Sequence, residues 1–218
     1  MSAIQFLPAV AIEGHQSSGA GTPDHPMRVA TRRAAGLEPE GWTGDLRDHV
    51  RGYFDELAPE WHTRTSPERM AVVQDALGRG MNGVELAAGV AVEIGSGIGT
   101  YSSLLAERFG TILAVDLSLS MLKRAPRRPA FRIQADAVRL PIRDSSAVAV
   151  VLINAFLFPQ EVQRVLSPKG IIVWVNSSGE QTPIYLSADD LVRSLSGEWT
   201  GRSSRAGEGY WCVLQRDH

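Results

Sequence analysis

From about residue 89 onward, short runs of Val, Ile and Ala alternate with stretches of helical spacing, and this rhythm leaves few folds open. The runs fall at 90–94, 111–116, 130–135, 147–153 and 170–175. Each is apolar throughout rather than alternating, which predicts strands covered on both faces, as in a parallel sheet flanked by helices. Helical stretches fall between them at 99–108, 118–125, 159–166 and 187–195. Two short strands near 198–204 and 209–216 close the chain as a hairpin. The expected architecture is a doubly wound α/β sheet, whose ligands sit beyond the carboxyl ends of the strands.

The first 88 residues read differently. Residues 1–44 hold Gly14, Gly19, Gly21, Pro23, Pro26, Gly36, Pro39, Gly41 and Gly44, a density of breakers that predicts an irregular arm. At 45–58, Leu46, Val50, Tyr53, Phe54 and Leu57 recur at helical spacing behind Asp45, a candidate N-cap. A second helix opens at Ser66-Pro67-Glu68 and ends at Gly78 or Gly80. The expected organisation is an arm at 1–44, a helical cap or lid at 45–85 and a nucleotide-binding domain at 86–218.

The sharpest local signal is VEIGSGIGT at 92–100, between the first strand of the alternating region and its helix. Gly95 and Gly97 let the backbone turn tightly and approach a ligand with no Cβ in the way. A glycine turn alone also serves NAD and FAD sites. Here, however, the third glycine, Gly99, comes one residue too early for Gly-x-Gly-x-x-Gly, and Glu93 stands just before the turn. A carboxylate there is badly placed for a pyrophosphate but suits a ligand carrying an ammonium and a sulfonium.

Two further acids end the next two strands. Asp116 lies about 20 residues beyond the turn, where a ribose-binding acid is expected to accept both vicinal hydroxyls. Asp136 can accept from an exocyclic amine, with the Ala137 amide offered to a ring nitrogen and Leu117 and Met121 flanking a base. Singly, each acid could be a cap, a turn residue or a solvated charge. Their convergence on one crevice predicts an S-adenosylmethionine site.

Composition excludes some alternatives. The formal charge of −2 leaves no basic footprint for a nucleic-acid backbone, so no nucleic-acid partner is expected. Lys123, Arg124, Arg127 and Arg128, interrupted by Pro126 and Pro129, read as a solvated face. Cys212 is the single cysteine and sits in GYWCVLQR, so it reads as a buried thiol of a protein from a reducing compartment. The start, MSAIQFLPAVAIEGH, lacks the basic n-region of a secretory signal, and no window approaches 18 uncharged apolar residues. A cytoplasmic protein with no membrane partner is expected. The five histidines form no close pair with ligand spacing, so no metal is expected either.

Over roughly residues 45–216 the chain resembles the class I S-adenosylmethionine-dependent methyltransferase family. VEIGSGIGT resembles its first motif, Asp116 its ribose acid, DAVRLPIRDSSAVAVVL its adenine loop and fourth strand, and EVQRVLSPKGIIVWV the helix, turn and fifth strand. Phe54-Asp55-Glu56-Leu57-Ala58-Pro59-Glu60-Trp61 is similar to a segment of the ubiquinone/menaquinone-biosynthesis C-methyltransferases. The resemblance implies a seven-stranded sheet in the order 3-2-1-4-5-7-6 with the seventh strand antiparallel, and a methyl acceptor that is a small molecule. Two departures limit it. LINAFLFPQEVQRVL reaches the next helix almost at once, and NSSGEQTPIYLSADDL is compact. The acceptor pocket must therefore come from the first 60 or so residues or from a second subunit, which makes a homodimer an open expectation.

An activated methyl group needs orientation more than covalent help, and a base only if the attacking atom must lose a proton early. Candidate acceptor-side residues are His62, His49, Tyr53 and Asn154, with Trp61 a candidate ring for a sulfonium or an aromatic acceptor. A non-catalytic cofactor-binding or scaffold protein and a nicotinamide-dependent oxidoreductase are the competing readings.

Overall fold

A computed structural model describes residues 3–13 and 25–216. In chain order the elements are β1 (Ala3–Phe6), α1 (Pro26–Ala34), α2 (Gly44–Leu57), a 3-10 turn at Ala58–Arg64, α3 (Pro67–Asp75) running into a π-turn at Ala76–Gly80, β2 (Val90–Ile94), α4 (Ser102–Phe109), β3 (Thr111–Asp116), α5 (Leu119–Arg124), β4 (Phe131–Gln134), β5 (Ala147–Ile153), α6 (Pro159–Val165), β6 (Leu166–Asn176), a 3-10 turn at Gly179–Gln181, α7 (Ala188–Ser194), β7 (Trp199–Ala206) and β8 (Gly209–Arg216). They build one sheet in the order β1-β7-β8-β6-β5-β2-β3-β4. Every pairing is parallel except those of β8 with β6 and with β7.

The fold is thus the expected mostly parallel α/β sheet, and seven strands follow the order implied by the resemblance. The count is corrected to eight, because β1 adds a strand at the outer edge of β7, with Ala3 opposite Thr200 and Phe6 opposite Ser203. AIQF is too short to stand out among the breakers around it. It is the open backbone edge of β7 that recruits it.

The arm at 1–44 is not irregular throughout. Helix α1 begins where the His25 side chain accepts from the Met27 amide at 3.1 Å, with Pro26 in the first turn, and it ends before Gly36 at φ +71°. Met27, Ala30, Thr31 and Ala34 face inward. The glycines and prolines counted as breakers flank this helix rather than interrupt it. The remaining breakers Gly14, Gly19, Gly21 and Pro23 lie outside the described residues. At α2 the cap is Thr43, whose Oγ1 accepts from the Leu46 amide at 3.2 Å. Asp45 sits instead in the first turn, where a carboxylate complements the helix dipole.

The core lies on both faces of the sheet, as continuous apolar strands require. Val92, Ile94, Val150, Leu152, Ile172 and Trp174 pack on the face that carries α1, α2, α6 and α7. Ala91, Ile112, Ala149, Val151, Val173 and Trp211 pack on the face carrying α3 and α4. Cys212 is fully buried, and burial pushes its thiol up to about 12, leaving it protonated and unreactive. Lys123, Arg124, Arg127 and Arg128 are exposed, as a solvated face should be.

Candidate functional site

One cavity of about 290 Å³ opens at the carboxyl ends of β2, β3 and β4, and Glu93, Asp116 and Asp136 all line it. Gly95, Gly97, Leu117, Met121, Ala137, Asn154 and Tyr53 line it too. Of the site residues expected from the sequence, the two histidines, His62 and His49, are left outside. His62 is exposed on the 3-10 turn at Ala58–Arg64, and the same turn directs Trp61 inward. His49, the other histidine candidate, is exposed on α2 and does not line the cavity.

The floor is the glycine turn. Gly95 has φ +68° and Gly97 φ +56°, a region L side chains rarely adopt. A Cβ on Gly95 would come within 2.7 Å of the Ala155 Cβ, and one on Gly97 would approach the Trp61 Nε1 at 3.4 Å. The turn is tied to the neighbouring strand end, since the Gly95 and Ser96 amides donate to the Val115 carbonyl at 2.8 and 3.1 Å. Ser96 Oγ, buried in this turn, finds no hydrogen-bond partner among the described residues. An orphaned hydroxyl at the edge of a cavity is a group left for a ligand.

The acids differ in their surroundings. Glu93 is 2% exposed, and its Oε2 accepts from Ser102 Oγ at 2.7 Å. Burial pushes its carboxyl up to about 7, the Ser102 bond opposes that rise, and the nearby Asp116 charge adds to it. Asp116 accepts from the Gly97 amide at 2.7 Å and the Ser118 amide at 2.8 Å. Burial nevertheless carries it up to about 6. Both carboxylates therefore sit in a desolvated place, held by backbone amides and a hydroxyl. They are poised for a cationic or hydroxyl-bearing ligand. Asp136 accepts from the Val138 amide at 3.1 Å and, at a longer 3.3 Å, from the indole of Trp42.

Asn154 sits at the end of β5 with φ +51°, yet its amide is engaged. It donates to Ser177 Oγ at 2.8 Å and accepts from the Ser177 amide at 2.9 Å, joining the ends of β5 and β6. Its place in the cavity is as expected, but its side chain holds the wall in shape. Residues that the sequence did not single out complete the lining: Trp42, Arg69, Tyr101, Phe156, Phe158 and Thr182. The Tyr101 phenol is raised by burial. Only Tyr101 carries a detectable signal, lying directly after the glycine motif. Trp42 belongs to the arm, Arg69 to the first turns of α3, and Phe156, Phe158 and Thr182 follow strand ends with no pattern of their own.

Helix α2 is latched beside Asp116, at the start of α5. Asp55 Oδ1 accepts from Ser118 Oγ at 2.5 Å and from the Ser120 amide at 3.3 Å. Burial alone would raise the Asp55 carboxyl, but those bonds more than offset it and hold it below its ordinary value. Asp55→Ala removes both bonds while Ser118 can still cap α5, so the fold should persist. Cofactor affinity is expected to fall about fivefold to tenfold, the equivalent of roughly 1–1.4 kcal/mol for such a contact. Titration calorimetry with S-adenosylhomocysteine checks this, and unchanged affinity would show that the latch is idle.

The match to known proteins agrees with this geometry. Residues 92–174 match the model of a family described as methyltransferase domain. The matched stretch runs from β2 into β6. The fold of the chain is shared by several solved structures. The protein of the DhpI–SAH complex is 18% identical, with a TM-score of 0.64, over 80% of this chain and 98% of that one. A SAM-dependent methyltransferase from Aquifex aeolicus is 14% identical, with a TM-score of 0.57, over 72% and 97%. Phosphoethanolamine N-methyltransferase 1 of Haemonchus contortus, solved with phosphoethanolamine and S-adenosylhomocysteine, is 16% identical, with a TM-score of 0.59, over 81% and 50%. No curated protein matches the chain.

Proposed function

We propose that the chain transfers the methyl group of S-adenosylmethionine to a small-molecule acceptor by in-line displacement. The observation that carries this reading is the roof of the cavity. Met27 of α1, Trp42, and Val50, Tyr53, Phe54 and Leu57 of α2 stand over the strand ends and cover the cavity in part, leaving a recessed chamber of small-molecule size. A chamber of this kind suits a small guest held in a fixed pose, and orientation alone supplies a large share of the rate in such a displacement.

When bound, the cofactor supplies a methyl group already activated by its sulfonium. The chain's own groups do the holding. Glu93 takes the ammonium, with Arg69 available to the carboxylate. Asp116 accepts from the ribose hydroxyls, and Ser96 Oγ lies beside them. Asp136 and the Ala137 amide read the adenine edge, between Leu117 and Met121. Asn154 shapes the wall that faces the reacting carbon, and Tyr53 overlooks the acceptor.

No helix is long and apolar enough to cross a membrane. Among the described residues no group of three or more His, Cys, Asp or Glu is placed to hold a metal ion. With a net charge of −2, the reading is of a cytoplasmic enzyme whose acceptor is not a nucleic acid. Incubation of the protein with methyl-labelled S-adenosylmethionine, a metabolite extract and total RNA tests this. Label is expected in the low-mass fraction. Label recovered in RNA or in protein instead would overturn the reading.

A further inference from the structure

One wall of the cavity is built mostly of rings. It is made by Trp42, Tyr53, Phe54, Phe156 and Phe158, with the aliphatic Ile184 also lining the cavity. Trp42 meets Phe158 nearly edge-on with ring centroids 5.0 Å apart, and Phe156 at 5.5 Å with a tilt of 49°. Tyr53 and Phe54 stand almost perpendicular at 5.3 Å. Rings held by one another in this way offer fixed faces and edges, to which a flat aromatic guest is complementary and an extended aliphatic or strongly hydrated one is not.

The polar groups of the cavity narrow the chemistry further. Its carboxylates are Glu93, Asp116 and Asp136, all at strand ends where the cofactor is read, and the one that meets the rings, Asp136, is engaged by the Trp42 indole at 3.3 Å and the Val138 amide at 3.1 Å. Its remaining titratable or charged groups are the phenols of Tyr53 and Tyr101 and the guanidiniums of Arg64 and Arg69. Among the described residues lining the cavity there is no histidine. Asn154, the polar side chain at the end of β5, is fully engaged with Ser177. With Arg69 left to the cofactor carboxylate, the acceptor side has rings to orient a guest and the exposed guanidinium of Arg64 to draw in an anion, but no histidine to take a proton from it.

Resting on the methyl-transfer reading above, we infer that the acceptor is a planar aromatic molecule whose nucleophile is an acidic O–H or S–H on the ring, as in phenols, naphthols and arenethiols, and that it binds as its anion. The proton is lost to water before binding. An oxygen or sulfur lone pair then forms the new bond to the methyl carbon as the carbon–sulfonium bond breaks. That bond's electron pair stays on the cofactor sulfur, giving neutral S-adenosylhomocysteine and a neutral methyl ether or thioether. The atoms and charges balance without a metal, an oxidant or a protein base.

The test is a panel of substituted phenols, naphthols and thiophenol against alkylamines, aliphatic alcohols and RNA, at saturating S-adenosylmethionine, following S-adenosylhomocysteine release. Turnover is expected with the aromatic arms. The midpoint of kcat/KM against pH is expected to move with the acidity of the acceptor from one phenol to the next, as it must when the acceptor ionises on its own. Phe156→Ala is expected to raise the acceptor KM about tenfold while leaving cofactor affinity within twofold. Silence of every aromatic arm, turnover confined to amines, alcohols or RNA, or a midpoint that stays fixed across phenols would each overturn the inference. Calorimetry with S-adenosylhomocysteine on the same samples separates the two levels: absent binding sinks the methyl-transfer reading itself, whereas intact binding with silent aromatics sinks only the acceptor class.

Discussion

Asp116→Ala is expected to weaken S-adenosylmethionine binding by about a hundredfold or more. A buried carboxylate that accepts from two hydroxyls contributes roughly 1.5–3 kcal/mol per charged hydrogen bond, so removing it takes away at least two decades of affinity. The fold should survive. Asp116 accepts from the Gly97 and Ser118 amides, and losing those bonds loosens the turn. Against that, the variant no longer has to bury a carboxylate already pushed up to about 6 by desolvation. Asp116→Asn, which keeps an acceptor oxygen, is expected to fall between the two. Calorimetry at pH 8, alongside a circular-dichroism melt, checks both statements. Wild-type affinity in a folded Asp116→Ala protein would mean that the crevice is misassigned.

Glu93→Gln is expected to act in opposite directions on stability and on binding. In the folded protein the carboxyl titrates at about 7 instead of its ordinary 4.5, because burial disfavours its charge. A raised carboxylate pKa means that the folded state binds the proton more tightly than the unfolded chain. Wild-type stability is therefore intact below about pH 4.5 and is lost progressively as pH rises through about 7. Above that, the buried charge costs roughly 3 kcal/mol. Glutamine removes this cost, so the variant should melt higher than wild type at pH 8, with the difference vanishing near pH 4.5. It should also bind S-adenosylmethionine roughly ten- to a hundredfold more weakly, having no charge for the ammonium.

The same linkage makes wild-type binding depend on pH. An ammonium beside Glu93 favours its ionised form, so binding below about pH 7 expels a proton and the Kd rises as pH falls. Calorimetry in buffers of different ionisation heats reads that proton directly. A Glu93→Gln protein no more stable than wild type at pH 8 would show that Glu93 is not held charged against burial. A site that is less stable because it keeps its charges ready is a common consequence of function.

Most of the nucleotide half of the site is legible in the chain itself. β2, β3 and β5 fall at the residues their apolar runs predict, because a strand covered on both faces must be continuously apolar. Glu93, Asp116 and Asp136 converge because a parallel sheet puts the carboxyl ends of adjacent strands on one edge. The acceptor half is much less legible. His62 and Trp61 are neighbours on a short 3-10 turn, and which of them faces inward depends on where α2 docks. Trp61 is fixed by Phe54, whose ring centroid lies 5.7 Å away. Asn154 reads as a free polar group until Ser177, 23 residues later, is seen to occupy both ends of its amide.

By itself, then, the sequence determined the order and type of the core elements, the glycine turn and the three strand-end carboxylates. Each follows from periodicity, φ requirements and spacing within a few residues of chain. Only the tertiary structure decided that the N-terminal segment is an edge strand and a roofing helix, and that aromatic rings from separate segments meet in one cavity. Those outcomes rest on contacts such as Trp42 to Asp136, 94 residues apart, and Arg28 to the Glu180 carbonyl, 152 residues apart. Contacts between segments so distant leave no periodic trace in either one, because each is selected by the shape of the other.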